Sequence, residues 1–196
     1  MPARILGVSD RLINSALKEF SEKGFSNASI RVIASDAHTS TRAIYTRFKD
    51  KDGLFSAIVE PVYSHIIEML RENSNSFWDD YNKNKTYDNT GDIYTRIIEY
   101  AYNHITEMKI ILACPQDNNF GHLTERLCQI NSENMHTAIE DTDNIDSVFF
   151  HIIMHSFYEG LFEPIRHDMS KEDGIKYVGK LVEFLEKGLD LRDTNI

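Results

Sequence analysis

Two sets of residues in this chain have types and spacings that can do chemistry, and the first is built on histidine. His151 and His155 lie four apart and would share one helix face, a spacing able to hold a metal. The residues between them, Ile152, Ile153 and Met154, supply no glutamate, so the metal-hydrolase pattern is missing. Glu133 and His136 make a single Glu-x-x-His, where a di-iron bundle needs two such pairs and two further glutamates. His65 with Glu68, His104 with Glu107 and His122 with Glu125 read more simply as ion pairs along helix surfaces. A glycine-rich phosphate loop and a nucleophile elbow are both missing from the sequence. The expectation is therefore no catalytic residue, no metal, no cofactor and no enzyme.

The second set lies between Ser29 and Leu54, SIRVIASDAHTSTRAIYTRFKDKDGL, and its chemistry is hydrogen-bond donation to an anionic polymer. Ser29 is a candidate cap for a short helix in which Ile30, Ile33, Ala34 and Ala37 fall on one apolar stripe. His38 and Thr39 make a turn, and Ser40 caps a second short helix from Thr41 to Arg47, whose Ile44, with Phe48 after it, faces the same core. The outer face of that second helix then carries Thr41, Arg42, Thr46 and Arg47, all able to donate to phosphates or base edges. Two helices joined by a tight turn, the second polar and partly basic, are the grammar of a helix-turn-helix.

These residues resemble the TetR-type one-component transcriptional regulators. Their pattern reads roughly Thr/Ser-Ile-x-x-Ile-Ala-x-x-Ala-Gly-Val-Ser-x-x-x-Leu/Ile-Tyr-x-x-Phe-x-x-Lys-Glu/Asp-x-Leu. The chain matches it at Ser29, Ile30, Ile33, Ala34, Ala37, Ser40, Ile44, Tyr45, Phe48, Lys51, Asp52 and Leu54. It departs at the turn, where His38 stands for Gly and Thr39 for an apolar residue; histidine is enriched over most non-glycine residues at positive φ, so the turn is expected to persist with some strain. The resemblance is specific over residues 9 to about 60 and general beyond. It implies DNA contacts from Ser29, Ser40, Tyr45, Arg47 and Lys51 to phosphate, and from Thr41, Arg42 and Thr46 to bases.

Charge divides along the chain. The net charge is -10 over 196 residues, yet residues 1–60 hold nine Lys/Arg against seven Asp/Glu, and the remainder twelve against twenty-four. The acidity thus belongs to the later part, and a duplex must be met by the local cluster Arg31, Arg42, Arg47, Lys49 and Lys51. Hydrophobic content of 41% suits a globular core. No run approaches the roughly 20 apolar residues of a membrane span, and the opening residues lack a leader's apolar stretch, so a cytoplasmic protein without membrane partners is expected. Two cysteines, Cys114 and Cys128, fit a reducing compartment and are expected as buried, unreactive thiols; a thiol switch between them is the alternative.

The elements that position these groups read as all-α: a three-helix helix-turn-helix domain at residues 1–50 and a larger helical ligand-binding and dimerisation domain at 51–196. A first helix, capped by Ser9 and stopped by Gly24, braces the motif through Leu12, Ile13, Ala16, Leu17 and Phe20. A fourth starts near Asp50 with Lys51 in its first turn and runs to about Glu72, with a kink expected at Pro61. Asn73 to Gly91 reads as a long polar loop pinned by Phe77, Trp78 and Tyr81. Helices follow from Asp92, over the short apolar piece Met108–Ala113, and around Phe120 to Glu140. Residues 145–167 are apolar nearly all round, which requires cover on both sides. A final helix, opened by a Ser170/Asp173 capping box, carries a heptad seam of Ile175, Val178, Val182, Leu185 and Leu189, with Gly174 and Gly179 allowing close approach.

The last two helices are therefore expected to form a homodimer, as the resemblance also implies. Two copies would set two recognition helices about 34–36 Å apart or a little more and read an inverted-repeat operator in double-stranded DNA. The resemblance further implies a small-molecule inducer in this domain; read from the residues, a pocket between helices would have Trp78, Tyr94, Ile97 and Leu127 as walls and His104, His151 and His155 as polar points. Residue for residue, a packed core with satisfied histidines is the competing expectation. The expected function is a homodimeric, sequence-specific transcriptional regulator, a repressor rather than an activator. The alternative is an acidic helical dimer that binds a small molecule or protein without binding DNA, which His38 and the small basic excess favour.

Overall fold

The computed structural model describes residues 7–84, 90–115, 118–138 and 144–189. Every regular element among the described residues is helical: α1 (Val8–Asn27), α2 (Ile30–Asp36), α3 (Thr41–Phe48), α4 (Lys51–Asn84), α5 (Thr90–Asn103), α6 (Ile105–Leu112), α7 (Leu123–Ala138), α8 (Asn144–Arg166) and α9 (Lys171–Leu189). The chain packs as two units, one comprising residues up to Ser64 with His104–Gly121, the other His65–Asn103 with His122 onward. α4 contributes residues to both.

In the first unit α1 packs on α2 and α6, and α2 on α3. The apolar stripes read from the sequence are its core: Leu12, Ala16 and Phe20 of α1, Ile33 and Ala34 of α2 and Ile44 of α3 are all buried, joined by Leu54, Phe55, Val59 and Met108. α1 begins with Gly7 at its cap, whose amide donates to Asp10 Oδ2 at 3.1 Å, rather than with Ser9. Gly24, at φ 71°, breaks its helical geometry where a stop is expected, and the chain recovers one more turn before Ala28.

The second unit packs α5 against α9 and α8, α7 against α8, and α8 against α9. α8 divides its apolar residues as two-sided cover requires. Met154, Phe157, Tyr158, Leu161 and Phe162 are buried within the unit, while Val148, Phe149 and Ile152 remain more than half exposed. The α9 seam turns out to be used inside the protomer: Val178 and Val182 are buried, with α9 packed on α5 and α8. A heptad stripe announces a buried face without naming what buries it. Of the two glycines, only Gly174 marks a close approach. A Cβ there would lie 2.7 Å from Tyr102 Cζ, and Tyr102 is held by a 3.1 Å hydrogen bond from its hydroxyl to the Met169 carbonyl. Gly179 faces open space. The Ser170 half of the capping box is formed, with the Asp173 amide donating to Ser170 Oγ at 3.1 Å, and the Asp173 carboxylate accepts from that hydroxyl at 2.7 Å.

Gly174→Ala should therefore destabilise the protein by about 1–3 kcal/mol through overpacking. Tyr102→Ala should remove that penalty, so urea denaturation of the two single variants and the double variant should show strong non-additivity.

One expectation needs correction. Asn73 to Gly91 is not a loop throughout, since α4 continues to Asn84 and α5 begins at Thr90; residues 85–89 lie outside the described residues. The sequence from Val62 to Thr90 holds no Gly or Pro, and extending an existing helix gains a hydrogen bond per residue, so indifferent propensities do not end it. Pro61, exposed within α4, leaves the helix continuous. No helix among the described residues is long and apolar enough to cross a membrane.

Candidate nucleic-acid interface

Local chemistry fixes the helix-turn-helix. The Ser29 amide donates to Glu19 Oε1 at 3.0 Å, while Ser29 Oγ accepts from the Val32 amide at 3.5 Å, so Ser29 caps α2 and ties it to α1. At the other end of α2, the His38 amide donates to the Ser35 carbonyl and the Thr39 amide to the Ala34 carbonyl, closing the helix with His38 at φ 51°. That is the left-handed conformation expected of the residue standing for glycine. Two contacts from α1 hold the turn in place: Arg11 Nε donates to the Ala37 carbonyl at 3.1 Å, and Ser15 Oγ donates to Asp36 Oδ2 at 2.7 Å. Neither contact was legible in the sequence, since both join residues more than twenty positions apart.

With the turn fixed, α3 has one possible roll. Ile44 is fully buried, which turns Arg42, Tyr45, Thr46 and Arg47 to solvent; Tyr45 is 55% exposed. Thr41 is half-buried at the start of the helix. Ser40 occupies the N-cap position with extended backbone, but its side chain makes no capping bond and is exposed. The expected reading face is thus a single surface of α3 and its cap, with Ser29 set apart as a structural cap. α3 ends at Lys49, whose φ of 75° is a second left-handed non-glycine position.

Lys51 differs from the others. Its Nζ donates to the Ser26 carbonyl at 3.2 Å and lies 4.8 Å from the centroid of the Phe25 ring. It clamps the end of α1 to the first turn of α4 and is half-buried, with its ammonium's remaining donors available. Asp50 caps that turn, Oδ1 accepting from the Gly53 amide at 2.7 Å. Gly53 is the residue whose necessity the sequence did not reveal: a Cβ there would collide with the Phe48 carbonyl oxygen and lie 3.0 Å from its carbon. The last turn of α3 is seated directly on the first turn of α4.

The residues expected to line an inducer pocket are dispersed. Tyr94, Ile97 and Leu127 are buried core residues of the second unit, and Tyr94 packs edge-on against Phe157 at 4.6 Å. His151 Nδ1 lies 3.4 Å from Cys128 Sγ, and His155 Nε2 lies 3.7 Å from Glu125 Oε2, the carboxylate otherwise assigned to His122. His104 belongs to the first unit, at the N-cap position of α6. Trp78 falls in α4, but its side chain lies outside the described residues. A polar core the sequence did not single out sits among them: Asn131 Nδ2 donates to the fully buried Tyr158 hydroxyl at 2.7 Å. Burial, with the neighbouring Tyr94, raises the Tyr158 phenol well above its usual range.

Both thiols are shielded. Burial pushes Cys114 up to about 11 and, with Glu125 nearby, raises Cys128 as well. Native protein at pH 8 should label with a thiol reagent at least about tenfold more slowly than unfolded protein, because the thiolate is the reactive form. Among the described residues no group of three or more His, Cys, Asp and Glu side chains is placed to hold a metal.

Comparison with known proteins agrees with this geometry. Residues 12–58 match the model of the bacterial regulatory proteins of the tetR family. Among curated proteins, an uncharacterized HTH-type transcriptional regulator of Bacillus subtilis (strain 168), YvdT, is 30% identical over 81 residues, 40% of this chain and 42% of the relative. A probable HTH-type transcriptional regulator of the same organism, YttP, is 28% identical over 99 residues, 50% of this chain and 46% of the relative. The chain thus spans somewhat under half the length of the curated relatives it matches.

Among solved structures, a TerR/AcrR-family transcriptional regulator from Aquifex aeolicus VF5 superposes with a TM-score of 0.67 at 17% identity, over 91% of this chain and 99% of that one. A TetR-family regulator from Syntrophomonas wolfei gives a TM-score of 0.64 at 21% identity, over 94% and 97% of the two chains. These likenesses extend the shared fold over nearly the whole chain. The likeness to the tetR family of bacterial regulatory proteins is thus carried by the helix-turn-helix at residues 12–58, and beyond it the fold alone is shared.

Proposed function

We propose that the protein is a cytoplasmic, homodimeric transcriptional regulator, a repressor, whose grip on an inverted-repeat operator in double-stranded DNA is set by a small-molecule inducer. The single observation that carries the reading is the roll of α3, which buries Ile44 and presents Arg42, Tyr45, Thr46 and Arg47 together. In this reading residues 1–50 are the DNA-binding domain and 51–196 the ligand-binding and dimerisation domain. Arg42, Thr41 and Thr46 read base edges, while Ser40, Tyr45, Arg47 and Lys51 position the helix on phosphates and Ser29 acts at the adjoining α2 terminus. Lys51 does so from a fixed place, since Ser26 and Phe25 hold its stem. Anisotropy titration of the duplex upstream of the protein's own gene against scrambled duplex tests the reading; equal affinity for both would remove the sequence-specific part.

Support for a dimer comes from the exposed Val148, Phe149 and Ile152, which share one stretch of α8 and call for cover, and from the exposed Phe184 on α9. Support for an inducer site in the second unit comes from polar groups gathered in its core, His151 and Cys128 together and Asn131 with Tyr158, beside Tyr94, Ile97 and Leu127. The proposed site extends to His155 and, on the sequence reading alone, to Trp78, while His104 lies in the first unit and is no part of it. Inducer binding would act through α4, which supplies residues to both units, with a coupling of about 1–3 kcal/mol. Operator affinity unchanged at saturating inducer would sink the coupling while leaving DNA recognition intact.

A further inference from the structure

We propose that the first unit carries a small-molecule site of its own, a cleft that takes a single-ring organic cation. The cleft holds about 300 Å³ and is lined from the end of α1, the first turns of α4 and the turn at Pro115 and Asn118–Phe120. Its apolar wall is a run of aromatic rings, Phe25 against Phe55 with centroids 4.8 Å apart and Phe55 against Phe120 at 6.0 Å. Facing solvent at its rim is Asp52, whose carboxylate has no hydrogen-bond or ion-pair partner among the described residues. It is the only ionised side chain among the cleft's lining residues. Hydroxyl and amide acceptors come from Ser56, Asn118 and Asn119.

The chemistry of this lining selects the charge and size of the occupant. An unpaired carboxylate attracts a cation and repels an anion, and a ring-bearing cation sets its charge on Asp52 and its apolar body against the aromatic lining. Phe25 already accepts one cation on its face, the Lys51 ammonium 4.8 Å from its centroid. That ammonium is drawn to the Ser26 carbonyl rather than to Asp52, so the carboxylate is left for an external partner. The volume lies at the small end of ligand sites, which fits one ring and excludes extended molecules. The site is separate from the residues of the second unit expected to hold an inducer.

Benzamidine and its neutral isostere benzamide, titrated into the full chain and followed by amide proton–nitrogen spectra, test the site. Benzamidine should give saturable shifts at Ser56 and at the side-chain amides of Asn118 and Asn119, and benzamide should give none. Asp52→Asn should weaken benzamidine binding at least about threefold, and Ser56→Leu, which fills the cleft, should abolish it. Asp52 is exposed, so its variant keeps the fold, which the same spectra report. Equal shifts from both compounds, shifts confined to other residues, or unchanged affinity in Asp52→Asn would overturn the proposal.

Discussion

Gly53→Ala should lower the stability of the protein by about 2 kcal/mol or more, the reverse of what the substitution does in an ordinary helix. Replacing Gly by Ala at a helical position commonly gains about 0.4–1 kcal/mol by restricting the unfolded chain. Here the added carbon meets the Phe48 carbonyl oxygen and lies 3.0 Å from the carbonyl carbon, both backbone atoms at the end of α3. No rotamer can relieve such a contact; either α3 or the first turn of α4 must move. The second option disturbs Asp50, whose carboxylate caps the Gly53 amide, and the Lys51 clamp beside it. Overpacking without a flexible neighbour costs about 1–3 kcal/mol and sometimes more. Circular dichroism during urea denaturation reads the result, and a midpoint equal to or above that of the parent would show that α3 and α4 are not seated as described. On the proposed function, operator affinity should fall with stability, because the same shift moves α3.

Ile152→Glu should convert the proposed dimer to a monomer and remove most of the proposed operator binding. Ile152 is 55% exposed between Val148 and Phe149 on α8, so a carboxylate there alters nothing buried within the protomer. In a two-fold dimer the same patch is used by both copies, and each substitution counts twice. Burying an uncompensated polar group costs about 2 kcal/mol or more per copy, so the dimer should weaken by about 4 kcal/mol, nearly three orders of magnitude in dissociation constant. Sedimentation at micromolar protein reads the assembly, and unchanged helicity with a monomer mass is the expected result. A dimer that survives Ile152→Glu and also Phe149→Glu would place the interface elsewhere.

What the sequence made legible was local. Ile33, Ala34, Ala37 and Ile44 announce two short helices sharing one core because their spacings follow the helix period, and the structure buries them all. His38 at φ 51° is equally local, a non-glycine residue placed where the pattern requires a left-handed turn. Long-range pairings left no such trace. Nothing in the spacing of Phe25 and Lys51, or of Arg11 and Ala37, says that they meet. The α9 stripe was legible as buried, but α5 and α8 rather than a second copy cover Val178 and Val182. Asn-rich composition suggested a loop after Glu72, whereas a helix already nucleated continued through it to Asn84. Gly53 stood in the sequence as a variable position of the motif, and only the seating of α3 on α4 shows why glycine is required.

The central claim, that the outer face of α3 reads DNA, is tested most directly by titrating the upstream duplex and scrambled duplex at several salt concentrations with the parent protein, Arg42→Ala and Tyr45→Ala. The account predicts tight binding to the upstream duplex alone, with a steep loss of affinity as salt rises. Arg42→Ala should cost about 1–3 kcal/mol and relax sequence preference, while Tyr45→Ala should weaken binding across sequences with preference retained. Salt-sensitive binding to neither duplex, or full affinity in both variants, would contradict it.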